Sequence, residues 1–145
     1  MKDYNDDLKK SIVFPIYLCS KELMRKYAEE LKIYDLTYTQ YLVLMYFINE
    51  RKSNLRRVGD VMLLDSSTLT PLLKKLEKKG YITRKKSKTD ERNLDLAITK
   101  KGLELEPHLR EIPGRIKALF NLTDKEIETL HEITYKILSC IVEEK

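Results

Sequence analysis

Residues 65–99 constrain how this chain can fold more than any other stretch. In "DSSTLTPLLKKLEKKG" (65–80), Leu69, Leu72, Leu73 and Leu76 recur at helical spacing as one apolar stripe, with lysines on the remaining surface. Asp65, Ser66 and Ser67 offer side-chain oxygens for the first turn, and Gly80 offers a stop. "YITRKKSKTDERNLDLAIT" follows without a linker. Residues 81–84 and 94–98 read as short strands, the second alternating apolar and polar, and the polar run between them reads as a hairpin tip.

The flanking sequence supplies helices. Leu8, Ile12, Ile16, Leu23, Tyr27 and Leu31 predict one long helix over 8–32, kinked by Pro15 or starting near Ser11. "LTYTQYLVLMYFINE" predicts a second, apolar on most sides, with Thr37 and Gln40 in capping-box register. "NLRRVGDVMLL" predicts a short third helix, ended by a turn at 62–65. Thr99 starts a fifth, punctuated by Pro107 and Pro113-Gly114, and Thr123 with Glu126 caps a last helix from Asp124 to about residue 143. The expected fold class is mainly α with a small β-hairpin wing: a winged helix-turn-helix over about 37–99, in one domain spanning 1–145. Residues 8–32 and 100–145 carry more apolar surface than so small a lobe can cover, and are expected to be dimerisation helices.

Charge is concentrated in the same middle segment. Between Lys74 and Arg92 lie nine basic residues and three acidic ones, a surplus of six on a chain whose net charge is +5. A stripe of this kind is the footprint of a polyanion binder, or else a solvated lysine face. At the start of the second helix of such a motif, Ser66, Ser67, Thr68 and Thr70 are short and can donate to or accept from bases and phosphates, or some of them simply cap the helix. Pro71 could lie against a thymine methyl. Lys74, Lys75, Lys78 and Lys79 are expected to pair with phosphates, joined by Arg84, Lys85, Lys86 and Lys88 on the hairpin. Asp90 and Arg92, two apart, form either a surface ion pair or a guanidinium held for the minor groove.

The stretch "DSSTLTPLLKKLEKKGYITRKKSKTDERNLDLAITKKG" resembles the MarR family of bacterial transcription regulators, with Asp90-x-Arg92 followed by Leu96-x-Ile98-Thr99 as its wing pattern. "LTYTQYLVLMYF", "LDSSTLTPLLKKLE" and "EIPGRI" look most like its organic-hydroperoxide-sensing branch, OhrR, and staphylococcal thiol-sensing relatives. The resemblance implies a triangular homodimer on a palindromic double-stranded operator, usually a repressor released by a small-molecule effector or by oxidation. It also places the branch's sensing cysteine at Val13, which cannot form a sulfenic acid. The tyrosines that position such a thiol match Tyr17, Tyr27 and Tyr38. Val13 and these tyrosines are therefore the expected effector pocket.

Cys19 lies about 120° around the helix and about 9 Å along it from Val13. It is expected to be a packing residue, as is Cys140, with a displaced redox thiol at Cys19 as the alternative. The leading expectation is a dimeric, sequence-specific DNA-binding regulator; the alternatives are a Cys19-based redox repressor and a nonspecific architectural protein. No glycine-rich phosphate loop and no His/Cys/carboxylate cluster points to an enzyme, a metal site or a cofactor. No segment has the roughly 18 apolar residues of a membrane span, so a cytoplasmic protein is expected.

Overall fold

The computed structural model describes residues 6–86 and 94–142. Lys88, Asp90 and Arg92 lie outside the described residues. The chain runs α1 (Asp6–Lys10), α2 (Val13–Leu31), a 3-10 turn (Lys32–Tyr34), α3 (Tyr38–Glu50), β1 (Lys52–Asn54), α4 (Leu55–Met62) and α5 (Ser66–Lys78). It continues through β2 (Ile82–Lys86), β3 (Leu94–Ile98), α6 (Lys100–Glu104), α7 (Glu106–Lys117) and α8 (Asp124–Val142). This is the winged helix-turn-helix that the sequence predicts.

Of the two expectations for the first helix the structure follows the second: the chain breaks at Ser11 and Ile12 and α2 starts at Val13. Pro15 falls in the first turn of α2, where a missing N–H breaks no helical hydrogen bond. The freed Phe14 N–H donates to Ser11 Oγ at 3.3 Å. The fifth helix is likewise two, α6 and α7, meeting at Leu105 with Pro107 near the start of α7.

Helix α3 is the centre of the core, burying Gln40, Tyr41, Val43, Leu44, Phe47 and Ile48. Its capping box is complete. Thr37 Oγ1 accepts the Gln40 N–H at 3.3 Å, and Gln40 Oε1 accepts the Thr37 N–H at 3.1 Å. Around α3 close Leu31 of α2, Leu69, Leu73 and Leu76 of α5, Ile82 and Leu96 of the wing, and Leu109 and Ile112 of α7.

The sheet has a third strand beyond the two predicted. β1 pairs antiparallel with β3 (Lys52 opposite Ala97), giving the order β1-β3-β2. Asn54 ends that strand and caps α4, its Oδ1 accepting the Arg57 N–H at 2.9 Å. The α4–α5 turn bends through Leu63 at φ 52°, and the Leu64 N–H donates to Gly59 O at 3.0 Å.

At the two ends of the chain the packing thins out. Helix α8 has no buried residue, and Leu130, Ile133, Ile137, Leu138 and Ile141 are exposed along it. Ile12, Val13, Ile16 and Met24 at the other end of the chain are exposed as well. Among the described residues no helix is long and apolar enough to cross a membrane.

Gly102 shows how closely the wing is stapled to the helices behind it. A Cβ there would stand 2.4 Å from the Tyr81 carbonyl oxygen and 2.8 Å from Ile98 Cγ1. Gly102→Ala should therefore cost about 1–3 kcal/mol of stability by overpacking. Thermal unfolding should show a melting temperature lower by several degrees; an unchanged value would contradict the close approach.

Candidate nucleic-acid interface

Helix α5 divides its residues cleanly. Leu69, Leu73 and Leu76 are buried, while Ser66, Ser67, Thr68, Pro71, Lys74, Lys75 and Lys78 are exposed and Thr70 is half-buried. Asp65 organises the first turn. Its Oδ1 accepts the Thr68 N–H at 2.8 Å and the Ser67 hydroxyl at 2.5 Å, and its Oδ2 accepts the Thr68 hydroxyl at 3.2 Å. The capping side chain is thus Asp65, and Ser67 and Thr68 donate their hydroxyl protons to it rather than capping the helix themselves. These hydrogen bonds, led by that from Ser67, hold the Asp65 carboxyl below its usual pKa. Pro71 lies inside α5 rather than in its first turn, so it removes one helical hydrogen-bond donor on the exposed face.

The basic stripe separates into two groups. Arg84, expected to face DNA, instead turns back onto α5, where its Nε donates to Glu77 Oε2 at 2.8 Å and its side chain is only 15% exposed. On β2 it alternates with the exposed Thr83 and Lys85, so the pleat directs it toward the helix. Lys79 is also held internally. Its Nζ pairs with Asp35 Oδ2 at 2.9 Å and donates to the Asp35 backbone carbonyl. Lys74, Lys75, Lys78, Lys85 and Lys86 form no ion pair among the described residues, and all five are exposed. Of the four lysines expected at phosphates along this helix, Lys79 is thus the one drawn away, by Asp35.

The tyrosines lie elsewhere. A cavity of about 640 Å³ opens between α2, α7 and α8, lined in part by Cys19, Leu23, Tyr27, Tyr38, Phe120 and His131. Tyr27 and Tyr38 stand 4.8 Å apart between ring centroids, and both pack on Tyr41, which the sequence reading placed only in the core. Burial raises the pKa of all three, with Tyr41 pushed up to about 12, so each keeps its proton near neutrality. Val13 and Tyr17 do not line this cavity. They are 70% and 57% exposed, because Tyr17 falls beside the Cys19–Leu23–Tyr27 row of α2 and Val13 stands at its very start. Cys19 is not a core residue of the single chain either: it is exposed and faces the cavity, while Cys140 is exposed on α8.

Comparison with known proteins fits this geometry. A family model described as transcriptional regulator SarA/Rot matches residues 25–108. The HTH-type transcriptional regulator SarZ of Staphylococcus aureus is 46% identical over 122 residues, 84% of this chain and 82% of that protein. Reduced AbfR bound to DNA, from Staphylococcus epidermidis, is 29% identical with a TM-score of 0.78, covering 94% of this chain and 95% of that one. AbfR in its disulfide-formed state is 30% identical with a TM-score of 0.68, covering 94% and 93%. A MarR family regulator from Listeria monocytogenes in complex with a 26mer DNA is 26% identical with a TM-score of 0.82, covering 93% and 91%.

The cap at Asp65 predicts a pH signature. A carboxyl with a lower pKa in the folded state stabilises above its unfolded value, about 3.9. That contribution is lost as pH falls through the folded value. Asp65→Asn keeps a capping oxygen but removes the titration. The melting-temperature advantage of the native chain over this variant should shrink between about pH 6 and about pH 2; a gap that stays constant would separate Asp65 from acid stability.

Proposed function

The chain belongs to the SarA/Rot family of transcriptional regulators, and from that premise we propose that it is a dimeric, sequence-specific DNA-binding regulator. The observation that carries the proposal is the division of α5. Its leucines anchor it inward, while hydroxyls at its start and unpaired lysines along it and on β2 are exposed. Entering the major groove by its N-terminal end, α5 brings Ser66, Ser67, Thr68 and Thr70 to base edges or phosphates, and its dipole favours the phosphate. Lys74, Lys75, Lys78, Lys85 and Lys86 neutralise backbone phosphates on either side. Lys88, Asp90 and Arg92 at the wing tip extend the same contact toward the minor groove.

Residues 8–32 and 100–145 form the dimer base, and residues 37–99 the DNA-binding lobe. A second copy covers the apolar residues that α2 and α8 leave exposed, and its two-fold symmetry sets a palindromic operator. The cavity at Tyr27 and Tyr38 receives a small apolar effector, whose binding repositions the lobes and releases a repressor from DNA. Cys19 gives a second reading, since it is exposed and faces that same cavity. Oxidation there would release DNA as hydroperoxide sensing does in the OhrR branch, with the thiol displaced from Val13.

Selection from randomised duplexes should return a palindrome; a steep salt dependence without sequence preference would point to an architectural protein instead. Lys74→Ala and Lys78→Ala should each reduce the slope of log affinity against log salt by about 1, uniformly across sequences. Arg92→Ala should weaken operator binding by roughly tenfold or more; near-native affinity would remove the wing from the interface. Organic hydroperoxide should leave the Cys19→Ser variant on its operator if the thiol is the sensor, and release that persists in this variant would eliminate Cys19.

A further inference from the structure

A second pocket, of about 480 Å³, lies on the lobe where the end of α2, the start of α3 and the later turns of α5 meet. Lys32, Asp35, Thr37, Gln40, Lys75 and Lys79 line it. Lys79 is paired with Asp35, but Lys32 and Lys75 are unpaired among the described residues, which leaves the lining with a surplus of two positive charges.

Gln40 is the unusual member. It is 4% exposed, the one buried polar side chain of the described core. Its Oε1 is occupied by the Thr37 N–H. Its Nε2 has no hydrogen-bond partner among the described residues. Yet no fully buried side-chain nitrogen or oxygen of the described residues lacks a partner, so this amide reaches open space, and the space Gln40 borders is this pocket. A largely buried side chain thus presents an unpartnered donor to the pocket, free for an acceptor there. The N-terminus of α3 adds a partial positive charge, with no acidic residue in its first turn to offset it.

We propose that this pocket binds a phosphate group, with Gln40 Nε2 as the directional donor and Lys32 and Lys75 as the charge partners. A divalent oxyanion fits the surplus of two charges. Asp35 opposes such a ligand and is compensated in place by Lys79. The volume exceeds that of a lone phosphate, so the group arrives on a larger molecule: a free phosphorylated metabolite, or the backbone of DNA bound through α5. Occupancy would join α2 of the base to α5 of the lobe through one ligand.

The side-chain amide resonances of Gln40 in the full chain report the site directly. Inorganic phosphate is titrated first without DNA, against chloride at matched ionic strength, so the result does not depend on the regulator reading; a short duplex is titrated second. A saturable shift with phosphate identifies a free ligand, and a shift with duplex alone identifies the DNA backbone. No shift with either overturns the proposal. Gln40→Glu keeps the acceptor that caps α3 and replaces the donor with a negative charge. Followed at the Thr39 backbone amide, it should weaken binding about tenfold or more. Lys32→Ala, an exposed change that leaves the core intact, should weaken it several-fold. Unchanged affinity in both variants also overturns the proposal.

Discussion

The structure depends on the junction at Gly80, Tyr81 and Thr99. Gly80 takes φ 77°, a conformation costly for any side chain, and turns the chain out of α5 into β2. The Tyr81 N–H donates to Leu76 O at 3.0 Å, and the Tyr81 carbonyl accepts the Thr99 N–H at 2.9 Å. The Thr99 hydroxyl donates to Gly80 O at 2.6 Å and accepts the Gly102 N–H at 3.0 Å. One threonine thus ties the end of α5, both wing strands and the start of α6. Any rotation of α5 about its axis would break these bonds and lift Leu69, Leu73 and Leu76 from the core. The outward face of α5 is therefore as fixed as its inward one.

That rigidity sorts the charges. Arg84 and Lys79 sit where neighbouring elements supply Glu77 and Asp35, and both become part of the scaffold. A half-buried Arg84 without Glu77 would be an uncompensated charge against the helix. Lysines on the open face have no such partners, so their charge is available to a polyanion. Net charge counts both groups alike, and only the packing separates them.

The sequence carried most of the fold because its local signals agree: caps at Thr37, Asp65, Thr99 and Thr123, the stop at Gly80, and leucines at helical spacing. It failed where the decisive partner is distant. Lys52-Ser53-Asn54 has no strand-like pattern and becomes β1 only because β3 offers an unpaired edge. Arg84 reads as one more cation until the pleat points it at Glu77. Val13 and Tyr17 entered the pocket by alignment to a related helix, whereas the break at Ser11 and Ile12 and the rotation of α2 leave them outside it. Tyr41 reads as core from its apolar neighbours, and its contact with Tyr27 and Tyr38 follows from how α2 crosses α3.

The tyrosine cavity and the exposed apolar faces pose a single physical problem. α8 forms one wall of the cavity, yet it buries none of its own residues against the lobe. A wall held so weakly from within is positioned by whatever packs on its other side. α2 is attached on both flanks, through Tyr27 to Tyr38 of α3 and through Glu30 to Arg115 of α7 at 2.8 Å. α7 in turn reaches α3 through Arg110 and Asn49 at 2.9 Å. In the proposed dimer, a shift of the partner copy would therefore reshape the cavity at α8 first, and reach α3 and the lobe through α2 and α7. The same links would run backward in the proposed dimer: a ligand wedging α8 from Tyr27 would act on the dimer contact and on the spacing of the two lobes at once.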